Sequence, residues 1–435
     1  MKKPKNPPGL HLRLVAAEKL ASVLRGANFA PFSVADLPDG RDRALANRLV
    51  TTALRRHGHL NIALSRYLER GMPKKSGPFE ALLRLALTQL IWLPDLGDHS
   101  ALFLAVEAAK RDNRSQHLAK LMNAVLRRAQ ADAEALRNLP DADLFPPTLR
   151  DGWTRQYGAD AIPAFARALI DGAPLDLTLR DDDPALVTEL GASPVMADTV
   201  RITDRDSSVD ALPGFAEGRW WVQDAAASLP ARLIHLPKGA RVLDLCAAPG
   251  GKTAQLIKAG YEVTALDSDP DRMARLGQNL ARLGYRAAEV TADGLAWESE
   301  ERFETILLDA PCSATGTFRR HPEVIWHRDA TDIASRQKLQ RAFIEAAAKR
   351  LVPGGTLVYC VCSLEPGEGE EQARWIEANT ALIADPVRPE EIPGLPAALR
   401  PDGTLRTHPG LSVSGEKGGT LDGFFIARYR SRADT

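Results

Sequence analysis

Apolar residues recur every three or four positions from Leu12 to about Gln130, the spacing of amphipathic helices. Leu118, Leu121, Met122 and Val125 share one face of such a helix, and Lys120, Asn123 and Arg127 another. Polar or Gly/Pro-rich breaks at 36–42, 58, 72–78, 94–98 and 112–115 cut the stretch into about six helices. An all-α domain is therefore expected over residues 1–137. Between 138 and 239 the pattern changes to short segments rich in Pro, Asp and Gly, with a strand predicted at 175–180 and a solvated turn at Asp181 to Asp183. This reads as a small connecting domain. From Ala240 onward strand-like runs alternate with helical ones: ARVLDL, a helix at 252–259, EVTALD, a helix at 270–283, TILLDAP, a helix at 334–350, TLVYCV and GFFIARY. That alternation predicts an α/β domain over 240–435, a mostly parallel sheet with helices on both faces and ligands at the carboxyl ends of its strands.

A chain of 435 residues exceeds what one hydrophobic core usually organises, consistent with several domains. The basic opening is interrupted by Pro7, Pro8, Glu18 and Lys19, against a signal peptide, and no run is apolar enough to span a bilayer. The expectation is a cytoplasmic protein with no membrane partner. The four cysteines, Cys246, Cys312, Cys360 and Cys362, do not form a secreted disulfide framework, and without paired C-x-x-C spacing or a suitable histidine no metal site is expected. A net charge of zero conceals an asymmetry of about +12 over residues 1–130 against −12 over the rest. The basic half suits a polyanion; a merely solvated basic face is the alternative.

The segment Cys246, Ala247, Ala248, Pro249, Gly250, Gly251, Lys252 joins a predicted strand to a helix, and its small residues allow close backbone approach to a ligand. Gly251, Lys252 and Thr253 imitate the end of a phosphate-binding loop, but that motif needs glycine where Cys246 stands. Asp267, about 20 residues on at the end of the next strand, can accept hydrogen bonds from ribose hydroxyls. Asp269, before Pro270, fits a helix cap better. Asp293 is either an acceptor for an adenine amino group or an ordinary turn aspartate. Together the series fits an adenosyl ligand better than any one element does.

Two cysteines follow predicted strands and should face the carboxyl edge of the sheet: Cys312, after Asp309, Ala310 and Pro311, and Cys362, before Ser363. Beside an adenosyl methyl donor, a thiolate can add to carbon 6 of a cytosine, turning carbon 5 into a nucleophile for the methyl group; a base then removes the carbon 5 proton and the thiol leaves. Asp309 can bind the exocyclic amine or a protonated ring nitrogen of that base. Free cysteines are commonly buried, and for Cys360, which shares a strand face with Cys362, packing just below the site is the better reading.

CAAPGGK, DAPCSATG, RRHPEVIW (319–326), CS after TLVY, and LDGFF (421–425), in this order, resemble the RNA cytosine-5 methyltransferases of class I, Rossmann-like fold. Residues 99–128 resemble the closing helices of the NusB-like RNA-binding fold, so nearly the whole chain resembles the bacterial Fmu or Sun group. The resemblance implies S-adenosylmethionine as cofactor and small-subunit ribosomal RNA as partner. It implies that Cys362 is the nucleophile and that Cys312 assists release of the methylated base. It also implies that Cys246 to Lys252, Asp267, Asp293 and Asp309 hold the cofactor. Two departures stand out: Val361 where the family usually has Thr, and Leu179-Arg-Asp-Asp182 where related proteins often read Leu-Arg-Val-Asn.

Since a stacked cytosine is out of reach, its base must come from a loop or be flipped out. Arg319, Arg320 and His321 are expected to hold phosphates near the pocket, and Trp326 either stacks on RNA or packs in a core. Two rivals are a DNA cytosine methyltransferase, with Cys312 as nucleophile, and a noncatalytic ribosome-assembly factor. No repeated interface is evident, so a monomer is expected.

Overall fold

The computed structural model describes residues 7–203, 208–413 and 420–432, so the basic opening at 2–5 lies outside the described residues. The chain forms two compact units: Met1–Asp171 with Arg320–His327, and Gly172–Arg319 with Arg328–Thr435.

The first unit is all-α. Its helices are α1 (Leu10–Leu24), α2 (Gly40–Arg55), α3 (His57–Tyr67), α4 (Phe79–Trp92), α5 (Asp98–Arg111) and α6 (Ala119–Ala131), followed by α7 (Ala133–Arg137), α8 (Pro147–Tyr157) and α9 (Ala161–Asp171). Helix α4 is apolar almost all round and buries all but two of its residues against its neighbours, as such a helix must. On α6, Met122 and Val125 face the core while Lys120 and Arg127 are exposed. The break expected at Gly58 falls two residues earlier, at Arg56. Gly58 is inside α3 because a Cβ there would lie 2.1 Å from the Asp143 carbonyl oxygen, so the glycine serves close packing rather than chain reversal. Residues 138–171, assigned on composition to the connecting region, are largely helical and cluster with this unit. Their prolines start elements, Pro147 opening α8. Trp153 is fully buried between Phe145 and Phe165, with ring centroids 5.4 and 5.7 Å away.

The second unit begins with a four-stranded antiparallel sheet, in order β2-β3-β1-β4, built from β1 (Leu175–Leu179), β2 (Ser193–Met196), β3 (Thr199–Ile202) and β4 (Trp220–Val222), with α10 (Pro184–Glu189) between β1 and β2. Asp183 caps α10, and Asp181 and Asp182 are exposed, as a solvated turn should be. After α11 (Leu229–Arg232) come β5 (Arg241–Leu245), α12 (Gly251–Lys258), β6 (Glu262–Asp267), α13 (Pro270–Leu283), β7 (Ala288–Thr291), β8 (Phe303–Asp309), α14 (Ala330–Ala348), β9 (Leu351–Val361), α15 (Glu370–Asn379), β10 (Ile383–Ala384), β11 (Leu405–Arg406) and β12 (Phe425–Arg430). The large sheet runs β10-β12-β9-β8-β5-β6-β7, with β11 paired to β12. Strands β9, β8, β5, β6 and β7 are mutually parallel, and β10 to β12 make an antiparallel edge. The strand order reverses between β5 and β8, so the loops after these two strands diverge and leave a crevice at the carboxyl edge. Among the described residues no helix is long and apolar enough to cross a membrane.

Candidate active site

Three strands deliver the predicted chemistry to one edge. The loop after β5 turns through Cys246, whose φ of +66° is unusual for a residue with a side chain. Its backbone is held from within: the N–H groups of Cys246 and Ala247 donate to the Leu266 carbonyl at 2.8 and 3.0 Å, and that of Ala248 to Asp267 Oδ2 at 3.2 Å. Close backbone approach to a ligand therefore falls to the start of α12, where no side chain caps the first N–H groups. Asp267 is buried beneath the loop and pairs with Arg272, which also donates to the Ala248 carbonyl. Asp269 caps α13, as expected. Asp293 is exposed after β7, its Oδ1 accepting from Leu295 N at 2.9 Å.

Lys252, in the first turn of α12, reaches across the crevice to Asp309 Oδ2, 2.8 Å away at the end of β8. Burial opposes its charge, but Asp309 overrides this and raises its pKa above the usual value. Behind this pair lies Asp244, fully buried on β5. Its Oδ2 accepts from Thr253 at 2.6 Å, and its Oδ1 has no partner among the described residues. Burial, opposed by the Thr253 hydrogen bond, pushes this carboxyl up to about 7.

The sheet register sets Cys360 opposite Asp309, and Cys360 Sγ lies 3.6 Å from Asp309 Oδ1. Two residues further, Cys362 meets Cys312 of the β8 loop with their sulfurs 3.5 Å apart. The contact with Cys362, together with burial, raises the pKa of Cys312 and keeps it a thiol. Burial does the same to Cys360 and Cys246. The edge thus gathers Lys252, Asp309, Cys312, Cys360 and Cys362, with Asp267 bracing the loop and Asp293 apart at the far strand.

The residues that hold the two cysteine loops together went unread in the sequence. Gly316 of the Cys312 loop donates its N–H to the Cys362 carbonyl at 3.0 Å and accepts from Gly423 N at 2.8 Å. A Cβ on Gly316 would lie 1.9 Å from the Gly423 carbonyl oxygen, so DAPCSATG and LDGFF meet through two bare backbones. Glu368, fully buried, accepts from Ser313 N and from the hydroxyls of both Ser313 and Ser363.

One expectation is overturned. Arg319 does not hold phosphates: it is fully buried, donating to Asp422, Thr420 and Asp224. A guanidinium removed from water is stable only when its charge is matched, and these two carboxylates match it. Arg320 and His321 are exposed. Trp326 lies against His57, ring centroids 4.5 Å apart, the packing alternative of the two expected for it.

The fold and site define a class, the S-adenosylmethionine-dependent RNA methyltransferases: a doubly wound sheet with a glycine-rich loop after its first strand and two thiols at the carboxyl edge. The model of the 16S rRNA methyltransferase RsmB/F family matches residues 231–430, and that of the NusB family residues 13–131. A ribosomal RNA small subunit methyltransferase B of Xanthomonas campestris pv. campestris is 38% identical over 401 residues, 87% of this chain and 89% of that protein. Its namesake in Salmonella paratyphi C is 35% identical, covering 96% and 98%. The crystal structure of a methyltransferase homologue from Pyrococcus horikoshii, 29% identical, superposes with a TM-score of 0.55 over 66% of this chain and 95% of that one. The chain belongs to the RsmB/F family of rRNA methyltransferases.

Proposed function

We propose that the protein methylates carbon 5 of a cytosine in 16S ribosomal RNA, through a covalent adduct between carbon 6 and Cys362. The observation that carries this reading is the 3.5 Å approach of the Cys312 and Cys362 sulfurs beside the Lys252–Asp309 pair. The relatives' name, small subunit methyltransferase B, supports the choice of RNA.

The residues around the crevice fit an adenosyl cofactor. The open first turn of α12 and the buried Oδ1 of Asp244 both call for polar groups that the described residues do not supply. Cys246, Ala247, Ala248, Pro249, Gly250, Gly251 and Lys252 would hold it with Asp267, Asp293 and Asp309. When bound, S-adenosylmethionine supplies an electrophilic methyl group on a sulfonium sulfur.

The protein's own residues do the rest. Cys362 adds as thiolate to carbon 6, which gives carbon 5 its nucleophilic character. Asp309, held by Lys252, orients the base through its exocyclic amine or protonated ring nitrogen. Cys312, a thiol against the attacking sulfur, assists the departure of Cys362 once the carbon 5 proton has been removed. The basic helical unit grips RNA, and the protein works as a monomer in the cytoplasm.

The test is incubation with tritiated S-adenosylmethionine and small-subunit RNA from cells lacking the protein, followed by mapping of methylcytosine. The wild type is expected to form methylcytosine, Cys362→Ala to form none, and Cys312→Ala to accumulate a covalent RNA–protein adduct. Activity lost with Cys312→Ala but kept in Cys362→Ala would instead favour a DNA-type use of the first cysteine. No methylation of any RNA form would leave a noncatalytic assembly factor.

A further inference from the structure

Cys312 and Cys362 are each followed by a serine, and both serines converge on one carboxylate. Glu368 Oε1 accepts from Ser313 N at 2.9 Å and from Gln340 Nε2 at 3.0 Å, and its Oε2 accepts from the hydroxyls of Ser313 and Ser363. The two hydroxyl oxygens are themselves 3.0 Å apart. Glu368 is anchored in turn: its N–H donates to the Glu365 carbonyl at 3.1 Å and its carbonyl accepts from Tyr359 Oη at 2.7 Å. Gln340 also donates to the Pro311 carbonyl at 3.1 Å, and Arg328 to that of Ser313 at 2.9 Å, so the Cys312 loop is pinned on both sides. Ser313, Gln340, Tyr359, Ser363 and Glu368 are all buried, where hydrogen bonds are strong and unmade ones costly.

We propose that Glu368 is a positioning residue that sets the separation of the two thiols by binding the residue next to each. This rests on the reading of Cys362 as nucleophile and Cys312 as its aid in release. In release the carbon 5 proton passes to a base, its electron pair forms the carbon 5–carbon 6 double bond, and the carbon 6–sulfur bond breaks with its pair going to Cys362. Cys312 helps only if it stays against that sulfur. Four donors face the two oxygens of Glu368: the Ser313 N–H, the Gln340 amide and the two serine hydroxyls. The amide of Glu368→Gln has the same shape, but its NH2 end would either face the Ser313 and Gln340 N–H donors or force both serine hydroxyls to turn and accept.

The experiment uses the full chain and compares Glu368→Gln and Ser363→Ala with the wild type in three readings: methyl transfer at saturating RNA, KM for S-adenosylmethionine, and the ratio of covalent RNA–protein adduct to methylated product during turnover. Glu368→Gln is expected to lower kcat by roughly 100-fold, the scale of an ångström's misplacement of reacting groups. KM for the cofactor should stay within about twofold, because Lys252 and Asp309 are untouched, and the adduct-to-product ratio should rise. Ser363→Ala, which keeps the carboxylate and removes one donor, should shift the same readings by roughly 10-fold. A wild-type adduct ratio in Glu368→Gln, with activity falling only in step with the folded fraction, overturns the proposal. Should Glu368→Gln not fold, wild-type kcat and adduct ratio in Ser363→Ala do so. Failure of the nucleophile reading is separate: it shows as methylation by Cys362→Ala with Glu368 intact.

Discussion

Arg319→Met separates the two roles that can be given to an arginine next to the Cys312 loop. The guanidinium makes four hydrogen bonds: Nε and Nη2 to Asp422 Oδ1 at 3.1 and 2.8 Å, Nη1 to Thr420, and Nη2 to Asp224. Asp422 is fully buried and Asp224 nearly so, so methionine would fill the space and take the Arg319 charge and its hydrogen bonds away from two buried carboxylates. Breaking a buried pair from one side costs about 3–5 kcal/mol. For a unit of this size that is a fall in Tm of roughly 10 °C. An exposed arginine holding RNA would behave otherwise: its loss would change stability by no more than about 0.5 kcal/mol and lower the salt slope of RNA binding by about one. Calorimetry of the full chain, paired with RNA affinity measured across salt concentrations, reads both. The exposed neighbour serves as control, since Arg320→Met should leave Tm within about 2 °C. Adding Asp422→Asn to Arg319→Met should restore part of the loss by removing one uncompensated charge. A Tm for Arg319→Met within about 2 °C of wild type would refute the structural role.

Two further tests concern the site's framework. The Asp244 carboxyl, pushed up to about 7 by burial, holds its proton more tightly in the folded chain than in the unfolded one. Its contribution is therefore intact below about pH 4 and is lost as pH rises to about 7, and Asp244→Asn, which keeps the Thr253 bond, should gain on the wild type by up to about 4 kcal/mol across that window. Urea unfolding at pH 4, 5.5 and 8 checks this; a difference between the two proteins that does not change with pH contradicts it. Gly316→Ala sets a methyl group 1.9 Å from a backbone oxygen, whereas the nearest atom to a Cβ on Gly423 is a movable carbon of Leu364 at 2.5 Å. The first substitution should therefore destabilise more than the second, by about 1–3 kcal/mol, and should lower methyl transfer further; equal effects would refute the backbone clash.

What the sequence disclosed and what it withheld divide along the range of the interactions. The six helices α1 to α6 were legible because a repeat of three to four apolar residues is a local signal, as were the start of α13 from Asp269 and Pro270 and the parallel strands from their continuous apolar runs. The helices of 138–171 were missed because prolines that begin helices resemble prolines that end them, and the apolar face of α9 is short. Arg319 was misread because its partners Asp224 and Asp422 lie 95 and 103 positions away, and a charged residue beside a catalytic motif looks like a ligand contact until the fold supplies its counter-charge.

Glu368 shows the same limit more sharply. It stands among Glu365, Glu370 and Glu371, a run whose composition suggests a solvated surface. Yet Glu368 is fully buried between the cysteine loops, and Glu370 is buried against Arg406, which donates to the Ser363 carbonyl. Motifs pointed to the groups proposed to react, since those residues lie close to one another in local stretches of sequence. They did not name the groups that hold those reactants in place, because a buried acceptor is recognised by its donors, and Glu368 draws its donors from three separate segments around Ser313, Gln340 and Ser363. The residues proposed to react are thus written locally and the contacts that hold them are not. Substitutions at such supports should change rates while leaving every motif intact.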